Sequence, residues 1–173
     1  MRFIHASDLH IDSPLRGLDR YDGAPVERLR TATRSALERL VDKALAEGVD
    51  FVLFAGDIYD RDWQDFHTGL FFRGQMVRLE RAGIRCCIVQ GNHDAQGVIS
   101  RQLTLPSNVT VFSSRTAQTI RLDDLSVAIH GRSFPEREVN EDLVPSYPPP
   151  VPGFFNIGLL HTSLTGRAGH DTY

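Results

Sequence analysis

The chain has 173 residues and a mass of 19.4 kDa, the length of one domain or most of one. Its 41% hydrophobic and 24% charged residues are those of an ordinary globular protein, which excludes wholesale disorder, collagen and coiled coil. With 19 basic against 22 acidic side chains the formal charge is −3, so no global basic field draws in nucleic acid, and a phosphate polymer needs a local patch, metal ions or a partner.

The first run, Arg2–Ala6, is short and apolar and reads as a buried strand, with His5 inside it expected to be buried and hydrogen-bonded. His5 and Asp8 come too early for a signal-peptide core, and no stretch approaches the ~20 apolar residues of a membrane span, so a soluble, cytoplasmic protein is expected. Residues 11–24 carry Gly, Pro and Asp punctuation and read as a loop. From Pro25 onward Val26, Leu29, Thr33, Ala36, Leu37, Leu40, Val41, Ala44 and Leu45 recur at helical spacing, and the helix ends before Gly48. Phe51–Ala55 is apolar at every position and suits a strand covered on both faces.

Residues 60–65 are acidic and loop-like, with Asp62 and Asp65 read as solvated charges and Trp63 as a helix-start contact. Phe66–Ala82 is helical again, and Arg85–Val89 is a third buried strand. Its adjacent Cys86 and Cys87 form no CxxC spacing and read as reduced structural thiols. The order strand, helix, strand, helix, strand predicts an α/β fold with a partly parallel sheet. Val109–Phe112, Thr119–Leu122 and Ser126–His130 read as short strands of a meander. Five of the nine prolines lie between Pro145 and Pro152 and make a rigid connector, after which Phe154–Leu160 is a last buried strand.

The chemistry lies directly after the buried strands. Asp8 and His10 follow the first; Gly56, Asp57 and Asp60 the second; Gly91, Asn92, His93 and Asp94 the third; His161 the last. Ligands of open α/β sheets bind at the carboxyl ends of the strands, where these residues converge. The set offers oxygens and imidazole nitrogens without thiolate, which suits manganese, iron or zinc. Asp57, at the end of the most apolar strand, is the best candidate to bridge two cations, and Asp60 a candidate to hold a histidine from behind. His130 and His67 read as structural and capping residues.

D-x-H, G-D-x-x-D, G-N-H-D and a late strand-end His together resemble the calcineurin-like metallophosphoesterase superfamily, from Arg2 to about Thr162. The segments HASDLHIDSPLRGL and NIGLLHTSLTG are similar to the SbcD-type DNA-repair exonuclease branch. The resemblance implies a single domain over 1–173, a β-sandwich flanked by helices (αββα) that is short of its C-terminal part. It implies two divalent ions, foremost manganese, with Asp8, His10 and Asp57 on one and Asp57, Asn92 and His161 on the other. His93 is then the acid or charge-stabilising residue and Asp94 orients its imidazole. It further implies a DNA substrate and an SbcC-type coiled-coil ATPase as partner, with a homodimer left open.

The family's G-H-x-H motif, which supplies one more His to each ion, is not matched by Gly169-His170-Asp171-Thr172, so His170 reads as a loop residue and metal affinity is expected to suffer. The Ser/Thr phosphatase branch fits less well, because Asp62 and Asp94 depart from its G-D-x-x-D-R-G and G-N-H-E. A small-phosphoester or cyclic-nucleotide hydrolase, or a non-catalytic binding module, are the alternatives.

Overall fold

In a computed structural model of the chain the described residues are 1–13, 28–29, 31–60, 66–95, 103–136, 139 and 141–162. The elements run β1 (Phe3–Ala6), α1 (Ala32–Glu47), β2 (Phe51–Ala55), α2 (Phe66–Arg81), β3 (Arg85–Val89), β4 (Val109–Val111), β5 (Gln118–Leu122), β6 (Val127–Gly131) and β7 (Phe155–Leu159). Strands β1-β2-β3-β4 form one sheet, parallel throughout, and β5-β6-β7 form a second. This is the mixed α/β architecture expected. The start of the first predicted helix, Trp63, its acidic neighbours and His170 lie outside the described residues.

Alternation along β2 explains the two-layer build. Val52 and Phe54 point to one face, where Leu37, Val41 and Ala44 of α1 and Phe72, Met76 and Leu79 of α2 cover them. Phe51, Leu53 and Ala55 point to the other, against Leu122, Val127, Ile129 and Leu159 of the second sheet. A strand buried on both faces has no polar side, which is why its sequence is an unbroken apolar run.

Four expectations need correction, one of them the last strand: β7 is buried only at Leu159, and Phe155 is 58% exposed. β1 is an edge strand, not a buried one: it pairs only with β2 among the described residues, and Phe3 remains 39% exposed although it stacks on Phe51. His5, on the same face, is exposed as well. The meander is confined to the antiparallel pair β5–β6; β4 adds parallel to β3 in the first sheet, and β7 joins β6 in parallel. Short runs of similar composition do not reveal which sheet they enter.

The proline segment is tied down by side chains. Asn156 on β7 accepts the Val151 N–H at 2.7 Å and donates to the carbonyls of Val151 and Phe154. His130 is buried between Thr119, at 2.8 Å, and the Asn156 carbonyl oxygen, at 2.9 Å, a structural use as expected. Burial pushes the free thiols of Cys86 and Cys87 up to about 12 and about 11, which leaves them inert.

Candidate metal centre

The loops after β1, β2 and β3 are zipped together beyond the strands. The Asp8 N–H donates to Gly56 O (3.1 Å), the His10 N–H to Asp57 O (3.0 Å) and the Ile11 N–H to Ile58 O (3.0 Å). Asp8, His10 and Asp57 all sit in the left-handed region, with φ of 55°, 41° and 54°. Such backbone costs of order 1–3 kcal/mol per residue and persists where the surroundings over-determine it, commonly at functional sites. Next along the chain, Asp12 pins the first loop to both helices: its carboxylate accepts from Arg34 Nε (2.7 Å) and Thr68 Oγ1 (2.6 Å).

Asp57 is buried and its two oxygens have different surroundings. Oδ1 accepts the backbone N–H of His93 at 3.0 Å. Oδ2 lies 3.7 Å from His10 Nε2, 3.5 Å from His161 Nε2 and 4.0 Å from His93 Nε2. His161, at the end of β7, is buried and its Nδ1–H donates to Ala55 O at 2.8 Å. That bond places the lone pair of the neutral ring on Nε2, which faces Asn92 Oδ1 at 3.1 Å as well as Asp57 Oδ2. Electron pairs thus converge from a carboxylate, an amide and an imidazole, a donor set that fits a divalent cation. Metal–ligand bonds of ~2.0–2.2 Å let one ion touch both Asp57 Oδ2 and either flanking imidazole nitrogen. The described residues accordingly fit the implied cofactor.

The ligand atoms of Asp8, Asp57 and His161 lie within 4.8 Å of one another, as do those of His10, Asp60 and His93. The side chains expected from sequence to be ligands are therefore brought to one place, although Asp8 groups with His161 rather than with His10.

Of the two acidic residues expected to hold a histidine, Asp60 does so and Asp94 does not. His93 Nδ1 is held by Asp60 Oδ1 at 2.8 Å, and the ring stands perpendicular to that of His10 with centroids 4.9 Å apart. Asp94 does not orient the imidazole. It is buried and accepts backbone N–H groups of Tyr59 (2.9 Å), Ile58 (3.2 Å) and Gly91 (3.2 Å), stapling the loop after β3 to the loop after β2. Burial pushes its carboxyl up to about 6 against the pull of those bonds, and the Asp57 charge adds to the rise. Sequence reasoning did not single out Phe134, whose ring meets His161 edge-on at 5.6 Å, or Ser13, whose hydroxyl donates to Asp60 Oδ2 at 2.5 Å. Ser13 had a signal, its place three residues beyond His10.

Glycine is required at two of these strand ends. A Cβ on Gly56 (φ 84°) would lie 2.6 Å from the His161 ring, and one on Gly91 would lie 2.3 Å from Asp57 Oδ1.

A parallel sheet carrying acidic, amide and imidazole ligand atoms at its carboxyl edge fits a metallophosphoesterase. The chain belongs to the calcineurin-like phosphoesterase family, whose profile matches residues 1–153. It is 34% identical to the uncharacterized metallophosphoesterase YhaO of Bacillus subtilis over 176 residues, covering all of this chain and 43% of that protein. It is 28% identical to the SbcD component of the SbcCD nuclease of Escherichia coli K12 over 117 residues, 66% of this chain and 27% of that component. The chain thus spans less than half the length of these curated relatives. Among the described residues no helix is long and apolar enough to cross a membrane.

Proposed function

We propose that the chain is the catalytic part of a two-metal phosphodiesterase acting on DNA, with Asp8, His10, Asp57, Asn92 and His161 as metal ligands. The observation that carries this reading is Asp57 Oδ2, an oxygen flanked by His10 and His161 at 3.7 and 3.5 Å. When bound, a pair of divalent cations activates water and neutralises charge on the phosphate; manganese is the first choice, with iron and zinc as alternatives. Asp57 would offer Oδ2 to the cations, its carboxylate held in place by the His93 N–H on Oδ1. His93, oriented by Asp60, presents Nε2 to the leaving oxygen and donates a proton or stabilises its charge, a role that contributes ~10²–10⁴-fold in other enzymes. Asn92 and His161 set the floor of the site, and the ring of Phe134 backs His161 on its apolar side.

The likeness to a nuclease component favours a nucleic acid over a small phosphoester. An acidic chain then needs help with DNA, which an SbcC-type coiled-coil ATPase would supply. The buried, unpaired thiols of Cys86 and Cys87 fit a reducing compartment such as the cytoplasm. The test is manganese-dependent cleavage of single- and double-stranded DNA beside a cyclic nucleotide and a chromogenic diester, using the full-length protein. Cleavage of DNA supports the reading. Turnover of only the small esters makes this a small-phosphoester hydrolase, and metal binding without any turnover makes it a binding module.

A further inference from the structure

Asp60 can hold the His93 ring only if its own carboxylate is fixed, and a residue that meets its second oxygen comes from a different strand end. Ser13 Oγ donates to Asp60 Oδ2 at 2.5 Å, while Asp60 Oδ1 faces His93 Nδ1 at 2.8 Å. Both oxygens are therefore engaged, and Ser13 and the imidazole both restrain the carboxylate plane. Ser13 is itself well anchored. Its backbone N–H closes a turn onto His10 O at 3.0 Å, and Asp12 beside it is clamped by Arg34 and Thr68. The Asp60 carboxylate is about three-quarters buried, so water competes weakly for its oxygens.

We infer that Ser13 is a positioning residue for His93, acting through Asp60, and that it joins the loop carrying the metal ligand His10 to the proton-donating group. This inference rests on the phosphodiesterase reading. The hydroxyl does two things that a methyl cannot. It satisfies Asp60 Oδ2, and it keeps the carboxylate from rotating so that Oδ1 stays in the plane of the His93 Nδ1–H. Outer hydrogen-bond partners of this kind typically change activity ~10–100-fold. The backbone turn onto His10 does not use the hydroxyl, so metal binding should be untouched by its removal.

The experiment uses Ser13→Ala and Ser13→Thr in the manganese-loaded protein and in the chelated, metal-free protein. In the metal-free state, nitrogen NMR of the His93 ring, assigned with His93→Gln, reports the Nδ1–H···Asp60 hydrogen bond without any turnover. Ser13→Ala is expected to shift the Nδ1 signal toward that of a ring without this partner, and Ser13→Thr to restore it. In the loaded state Ser13→Ala should lower kcat about tenfold to a hundredfold on diesters with poor leaving groups and less on activated aryl diesters, with manganese affinity unchanged and Ser13→Thr recovering the loss. An unchanged His93 ring in Ser13→Ala overturns the inference. So does an equal loss of kcat across the leaving-group series, which would mark a general structural role. If the wild type turns over no diester, the phosphodiesterase reading fails and the ring signal alone decides whether Ser13 positions His93.

Discussion

At the scale of single residues the site turns on Asp57. Its left-handed backbone and the His93 N–H on Oδ1 leave Oδ2 aimed between two imidazoles. If Asp57 bridges two cations as proposed, Asp57→Ala should weaken both manganese sites; calorimetry that shows only one site affected would remove Asp57 from the bridging role. Asp94 yields a different prediction. Its folded pKa, about 6, lies above the ordinary 3.8, so the folded state binds this proton more tightly than the unfolded chain does. Its contribution to stability is then greatest below pH 4 and declines as pH rises from about 4 to about 6, by about 2–3 kcal/mol at most. Urea unfolding in chelator should show wild type gaining on Asp94→Asn as pH falls from 7 to 4.5; a flat or opposite trend would mean that the three N–H bonds outweigh burial. These two carboxylates also mark what the sequence could convey. The convergence of the candidate ligands was legible because each follows a strand end with a residue type suited to metals. Which of Asp60 and Asp94 holds His93 was not, because it depends on how two loops stack, and adjacency to His93 pointed to Asp94.

At the scale of elements, β2 and β3 were readable to the residue because both are enclosed and both end in a glycine turn. β1 and β4 were not, since an apolar strand of three or four residues looks the same at an edge as in the centre. The glycine turns carry a sharp consequence. Gly91→Ala would place a methyl 2.3 Å from Asp57 Oδ1 and 2.9 Å from both the Asp57 nitrogen and His161 Cδ2. Either Asp57 rotates away or the loop after β3 shifts, so manganese affinity should fall at least tenfold while stability drops by ~1–3 kcal/mol. Gly74→Ala at an exposed position of α2 is the matched control: nothing lies within 4 Å of its Cβ, and helix propensity alone should stabilise the protein by ~0.5–1 kcal/mol with metal binding intact. Equal metal affinities in the two variants would show that the tight approach of Gly91 to Asp57 is not needed by the site.

At the scale of the whole molecule, the site straddles two sheets. Asp8, Asp57 and Asn92 follow strands of the first sheet, whereas His161 follows β7 of the second and reaches back to Ala55 O of β2. The sheets otherwise meet through an apolar interface of Phe51, Leu53, Val127, Ile129 and Leu159, and through Ser133, which accepts the Gln90 N–H and donates to Phe112 O. An ion held jointly by Asp57 and His161 would clasp both layers, so metal binding and sheet docking must be linked. A ligand at 100 times its Kd adds ~2.7 kcal/mol to a folded state that alone binds it. Manganese should accordingly raise the thermal midpoint of the wild type. In His161→Ala most of that rise should vanish, whatever the starting stability. In Ile129→Ala, which leaves a cavity between the sheets at a cost of ~2–5 kcal/mol but keeps every ligand, the midpoint should start lower and the manganese-dependent gain should survive. Calorimetric scans of the three proteins with manganese and with chelator separate the terms. Were His161→Ala to show the same manganese gain as the wild type, His161 would have no part in the metal centre, and the layers would be held by the apolar interface and the Ser133 hydrogen bonds without the ion.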